Sequence, residues 1–155
     1  MSTTPFLWFV DGAKEAAEYY VSLFDDSRVL WVQEFPQDGA MQSGVYTLAF
    51  QLEGREYYAL NGGDAIKPTP AFSFFVEVET QAEIDRLWDA LIADGGAPSQ
   101  CGWLSDRWGQ SWQIVPKQLW GFYASSDREA VDRTVRAMLE MSKLDLGALQ
   151  AAYDG

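Results

Sequence analysis

The chain has 155 residues, about one domain's worth, of which 48% are apolar, and its formal charge is −12. A surface that acidic repels phosphate backbones and anionic lipid, which argues against nucleic-acid binding and membrane association. One cysteine excludes an intrachain disulfide, and the absence of any histidine removes the commonest general base, the commonest metal ligand and every Ser–His or Cys–His nucleophile pair.

Met1 to Pro5 has no positively charged stretch leading into an apolar core and cleavage site, and no run approaches the roughly 20 apolar residues that span a bilayer. With the lone thiol, this predicts a cytoplasmic protein. Phe6 to Val10 is a short apolar run suited to a buried strand. Asp11 can then cap a helix from about Gly12 to Phe24, whose stripe is Ala13, Ala16, Ala17, Tyr20, Val21 and Phe24. Three strands are expected next: Arg28 to Phe35, Gly44 to Leu52 and Arg55 to Leu60. Pro36–Gly39 turns between the first two and Glu53–Gly54 makes a hairpin between the others. The Gly- and Pro-rich stretch from Asn61 to Pro70 reads as a linker.

The pattern then restarts. Phe72 to Val78 is a strand, and Thr80-Gln81-Ala82-Glu83 is a capping box. The helix behind it carries Ile84, Leu87, Trp88, Leu91 and Ile92 and stops at Gly95–Gly96. Ala97 to Asp106 is irregular to extended, Asp106 to Gly109 is a turn, and Ser111 to Val115 is a closing strand. In the tail, Ser126 to Glu129 forms another capping box before the stripe Val131, Val135, Met138 and Leu139. Asp145 caps a last helix with Leu146, Leu149 and Tyr153. This tail packs either on its own domain or on a second subunit, and a dimer is favoured.

Sliding the sequence by 68 residues pairs Phe6 with Phe74, Trp8 with Val76, Ala16 with Ile84 and Tyr20 with Trp88. Strand, cap and helix phase coincide together, which points to a duplicated strand–helix–strands unit. The expected fold class is α+β: two βαβββ modules, about 4–63 and 70–117, with a helical tail over about 126–153, all in one domain.

Several segments carry a family resemblance: PFLWF (Pro5 to Phe9), EAAEYYVSLF (Glu15 to Phe24), ALNGG (Ala59 to Gly63), TPAFSFFV (Thr69 to Val76), CGWLSDRWGQSWQIVP (Cys101 to Pro116) and AMLEMSKLDLGALQAA (Ala137 to Ala152). On these the chain resembles the PhnB-like branch of the vicinal-oxygen-chelate superfamily, which includes glyoxalase, bleomycin-resistance and extradiol-dioxygenase folds. The resemblance implies paired modules curled into an incomplete barrel around a pocket. In the superfamily's metal enzymes, two ligands from each module hold a metal that acts as a Lewis acid. The matching positions here are Pro5, Ala59 (with Asn61 the next inward), Ser73 and Gln113. Pro and Ala cannot coordinate, Ser and neutral Gln do so poorly, and a shift of one or two residues finds no histidine. No metal and no cofactor are therefore expected. Members of this branch often go by the name 3-demethylubiquinone 3-methyltransferase. Neither Gly62–Gly63 nor Gly95–Gly96 forms the Gly-rich turn after a strand that holds a nucleotide cofactor.

Strand alternation predicts an inward set of Leu7, Phe9, Tyr57, Ala59, Asn61, Ser73, Phe75, Ser111, Gln113 and Val115, which either lines a small-molecule pocket or fills the barrel. Three side chains are weak catalytic candidates. Cys101 is a nucleophile or a structural thiol, Asp106 is an acid–base group or a turn residue, and Glu77 is a base inside an aromatic pocket or a strand end in water. The reading that follows is a metal-independent, homodimeric binding protein for a neutral or cationic, partly aromatic small molecule. The alternatives are a metal-free enzyme using Glu77, Asp106 or Cys101, such as an isomerase, a lyase or the methyltransferase-like activity, and a structural partner with a vestigial pocket.

Overall fold

Strand β1 (Phe6–Phe9) leads into helix α1 (Ala13–Leu23), then β2 (Arg28–Glu34), β3 (Tyr46–Leu52) and β4 (Arg55–Asn61) in the computed structural model, which describes residues 1–35 and 46–155. The expected turn at Pro36–Gly39 and the expected strand start at Gly44 lie outside the described residues. The chain divides into two compact units, Met1–Pro68 and Thr69–Gly155.

The first unit is one four-stranded sheet in the order β1-β4-β3-β2, with α1 on one face. β1 runs parallel to β4 and the other pairs are antiparallel. The β3–β4 hairpin closes through Glu53 (φ 47°) and Gly54 (φ 78°), both left-handed as a tight two-residue hairpin turn requires. α1 buries Ala13, Ala16, Ala17 and Tyr20. Three of these are alanines, so the helix lies close to the sheet and the bulk comes from the strands: Phe9, Leu48 and Phe50 are fully buried, and the Phe50 ring lies 6.2 Å from that of Tyr20. Each such side chain contributes about 1.5–3 kcal/mol on burial.

The second unit repeats this topology. Its elements are β5 (Phe74–Val78), α2 (Gln81–Ile92), a 3₁₀ turn (Ala93–Gly95), β6 (Ala97–Pro98), β7 (Trp103–Ser105) and β8 (Ser111–Pro116), and its sheet order is β5-β8-β7-β6. β5 is parallel to β8 as β1 is to β4. Here the helix supplies the bulk, burying Ile84, Leu87, Trp88 and Leu91, while Leu104, Trp112 and Ile114 are buried in the strands.

The two helices start differently. α2 has the expected capping box, with Thr80 Oγ1 accepting from the Glu83 amide and Glu83 accepting from the Thr80 amide. α1 is capped by Gly12 rather than Asp11, with φ 76° and no side-chain cap of its own. Its first amides are met from afar: Ala13 N donates to Asn61 Oδ1 at 2.8 Å, and Lys14 N donates to the Tyr46 hydroxyl at 3.2 Å.

Three helices follow the second sheet: α3 (Gln118–Tyr123), which sequence analysis does not anticipate, α4 (Arg128–Glu140) and α5 (Leu146–Asp154). α4 is capped by Asp127, one residue later than expected, through the amides of Glu129 and Ala130. The tail packs on its own unit: Leu119, Phe122, Leu144 and Leu149 form one apolar cluster with Val115 of β8. Gln81 at the start of α2 bonds both Leu144 O and Leu146 N, and Lys143 pairs with Asp85 at 3.0 Å and Asp89 at 3.2 Å.

Candidate functional site

Strand register decides which side chains are available on each sheet. In the first sheet, Leu7 stands beside Ala59 and Phe9 beside Asn61, while Ala59 faces Leu48 and Tyr57 faces Phe50 across β3. This face meets α1, as the Phe50–Tyr20 and Asn61–Ala13 contacts show. Leu7, Phe9, Tyr57, Ala59 and Asn61, all expected to point inward to line a pocket or fill the barrel, therefore lie under the helix. Asn61, 6% exposed, caps α1, and Tyr57 stacks on Phe50 at 5.5 Å, where burial raises its phenol pKa.

The other face carries the opposite alternation phase. One row across the sheet reads Trp31, Ala49, Tyr58, Phe6, and the next reads Gln33, Thr47, Leu60, Trp8. Phe6 is 55% and Trp31 43% exposed, and both are set edge to face around Tyr58, at 6.1 Å and 5.4 Å between centroids. A register shift between Val29 and Trp31 puts Trp31 on this face. With Leu30 as the extra residue the parity reverses, so the tryptophan lies over Ala49. Sequence reasoning misses this row because the bulge leaves no clear mark and both phases of β1 and β4 are apolar.

In the second sheet the expected set falls on the face opposite α2. Phe75 stands beside Gln113 and Glu77 beside Val115, with Trp103 across from Gln113 and Ser105 across from Ser111. Gln113 Nε2 donates to Ser73 Oγ at 2.8 Å, so these two neutral groups hold each other. Val115 is covered by the tail cluster and Ser111 is buried. Trp120 of α3 reaches over the same face: its ring is 6.1 Å from that of Phe75, and its Nε1 donates to Glu77 Oε2 at 2.5 Å. Glu77 is exposed there beside two aromatic rings.

The helices keep the 68-residue offset and the strands do not. Leu7 and Phe9 on the helix-covered face correspond to Val76 and Val78, an offset of 69, because three residues separate β1 from α1 and only two separate β5 from α2. The register partners of Gln113 and Ser73 in the first module become Tyr58 and Thr4 rather than Ala59 and Pro5. None of these six residues is a His, Asp, Glu or Cys. Among the described residues, no group of three or more His, Cys, Asp or Glu side chains is placed to hold a metal ion. The donors present do not fit the metal centre of the resembled enzymes.

The other two candidates sit in turns. Asp106, 3% exposed, accepts from the amides of Trp108 and Gln110 and from Trp112 Nε1 at 2.8–3.0 Å, which clamps the turn before β8. Cys101 sits at φ 57° in the turn before β7, its amide donating to Met141 O. Gly102 beside it is required, since a Cβ there would meet Ile114 O at 2.8 Å and the Leu144 side chain at 3.1 Å. Gly62 is required for another reason: a Cβ would run into the Trp8 indole at 2.2 Å, and that indole donates to Gly63 O. The Gly62–Gly63 pair thus seats a tryptophan and leads into no helix.

Among the described residues, no helix is long and apolar enough to cross a membrane.

A family model described as 3-demethylubiquinone-9 3-methyltransferase matches residues 1–115. Among solved structures, the PhnB protein from Bacillus cereus is 32% identical over 75% of this chain and 99% of its own, with a TM-score of 0.68. Protein PA1353 from Pseudomonas aeruginosa is 19% identical over 75% of this chain and 97% of its own, with a TM-score of 0.60. The fosfomycin resistance protein FosX from Listeria monocytogenes, solved with Mn(II) and sulfate, is 11% identical over 74% of this chain and 89% of its own, with a TM-score of 0.55. The last two similarities concern the fold, which is that of the glyoxalase/bleomycin-resistance type. No curated protein matches the chain.

Proposed function

The chain belongs to the 3-demethylubiquinone-9 3-methyltransferase family, in the PhnB branch of the vicinal-oxygen-chelate superfamily, and we propose that it is a homodimeric small-molecule binding protein that holds its ligand without a metal ion. The observation that carries the reading is the aromatic row of the first sheet. Phe6, Tyr58 and Trp31 stand together, two of them roughly half exposed, over a floor of buried Ala49. Exposed aromatic side chains held in fixed mutual geometry present apolar area at little further entropic cost, which suits ligand stacking. The neutral Ser73–Gln113 pair, at positions where the metal enzymes carry ligands, supports the metal-free part of the reading. In the second unit, exposed Phe72 and Leu139 are apolar side chains available to a second copy.

Native mass spectrometry with metal analysis of the same purified sample tests this directly. A dimer without metal, carrying an added mass of small-molecule size, is the expected result. A stoichiometric metal ion, or a chain that stays monomeric and binds nothing in a broad thermal-shift screen, overturns it.

One observation favours a second reading, a metal-free enzyme. Glu77 is an exposed carboxylate oriented by Trp120 Nε1 beside Phe75, which is a workable placement for a general base. Under this reading Glu77→Gln abolishes turnover of whatever compound is carried, whereas under the first there is no turnover to lose and binding on the first sheet is unchanged.

A further inference from the structure

We propose that the open face of the first sheet selects organic cations, ammonium groups bearing alkyl or aryl substituents, through Phe6, Trp31, Tyr58 and Glu56; the inference rests on the binding reading above and names its ligand class.

The argument starts from the rings. Tyr58 is met edge to face by Phe6, at an interplanar angle of 81°, and by Trp31, at 66°. Rings set steeply to one another form walls rather than a flat stack, and their π-faces carry the negative end of the ring quadrupole. The floor is Ala49, fully buried and paired in register with both Trp31 and Tyr58.

Charge supplies the second part. Glu56 lies two residues before Tyr58 on β4, so both side chains share the open face. The Glu56 carboxylate raises the Tyr58 phenol above its ordinary value, first by its charge and then by hydrogen bonding. It thus stands at the margin of the aromatic walls. Arg28, the cation that the described strand residues place on this face, is paired across from Gln51, which separates it from Glu56 in the register, and it lies 3.9 Å from Asp26. Aromatic walls with a carboxylate at their edge recognise a substituted ammonium group, which gains from the quadrupoles and keeps a counter-charge. The chain's net charge of −12 further favours cations near its surface. A neutral aromatic compound gains only the stacking part.

Isothermal titration of the full chain at low salt, with benzyltrimethylammonium and with neutral benzyl alcohol, tests the proposal. The cation is expected to bind about tenfold more tightly. Trp31→Leu, which keeps apolar bulk and removes the ring, is expected to weaken the cation about tenfold and the alcohol much less. Tyr58→Leu serves as a second ring-removing variant, and circular dichroism checks that both are folded. Glu56→Gln is expected to weaken the cation about threefold and flatten its salt dependence. Equal affinity for the two probes, or a Trp31→Leu variant that binds the cation unchanged, overturns the cation assignment. If the alcohol or other neutral aromatics bind and the cation has no advantage, the binding reading stands and this class falls. If neither probe nor a wider library binds, both fall together.

Discussion

The two sheets share one strand order and one pattern of parallel and antiparallel pairs, yet each finishes its helix start and its outer face by different means. In the second module, α2 carries its own capping box, and the face away from it is overlaid by the tail through Val115 and Trp120. In the first, α1 borrows Asn61 and the Tyr46 hydroxyl from β4 and β3, and its aromatic row keeps Phe6 and Trp31 exposed. Duplication preserves backbone topology because hydrogen-bond ladders tolerate many side chains. It leaves the faces free to diverge, since a face responds to single insertions and to whatever is appended. The tail, from α3 onward, lies beyond the residues that the family model matches.

The largest expected effect tests whether the tail is part of the second module's core. Leu149→Ala empties a fully buried site in the tail cluster and should cost about 2–5 kcal/mol in chemical denaturation. A cost below about 1 kcal/mol would make the tail a loosely attached appendage, and the contrast between the modules would weaken. Next come the helix starts. Asn61→Ala leaves the Ala13 amide without its partner beside a buried strand and should cost about 1–3 kcal/mol. Thr80→Ala should cost about 1 kcal/mol, because the exposed start of α2 lets water replace the lost cap. Equal costs, measured in parallel denaturations, would show that the distant cap is worth no more than the local one.

The smallest effect is a pH dependence confined to the second module. Asp85 is held below its ordinary value by hydrogen bonds from Lys143 and Gln81, so its contribution is present above pH 3.8 and is lost as pH falls through the lowered value. Lys143 is raised, first by its hydrogen bond to Asp85, so its contribution is present below pH 10.5 and is lost as pH rises through the raised value. These side chains are largely solvated, so the change should be small. Hydrogen exchange of the α5 amides, compared at pH 7 and pH 3 with Lys143→Met as control, should show extra opening at the lower pH in the parent chain only.

Much of the architecture is legible in the residues. The alanine-rich stripe of α1, the Thr80–Glu83 box, the Glu53–Gly54 hairpin and the restart, read from Phe72 and found from Phe74, each rest on local chemistry, and local chemistry acts through neighbours in the chain. The candidate site is much less legible. Alternation assigns Leu7, Phe9, Ala59 and Asn61 to one face correctly as a group, but nothing in β1 says whether that face meets a helix or a ligand. The gap-free offset of 68 that carries Phe9 onto Glu77 holds for the helices alone.

By itself the amino-acid sequence determined the two βαβββ units, their helix stripes and the absence of histidine from any site, because these follow from composition, periodicity and near-neighbour hydrogen bonding. Only the tertiary structure decided which phase of each strand stays open. One extra residue between β1 and α1 and one bulged residue in β2 each reverse the side-chain parity beyond them. Their effect is felt only when the strands pair and the helix docks, and it leaves Phe6, Trp31 and Tyr58 facing outward while Phe9 and Asn61 turn under the helix.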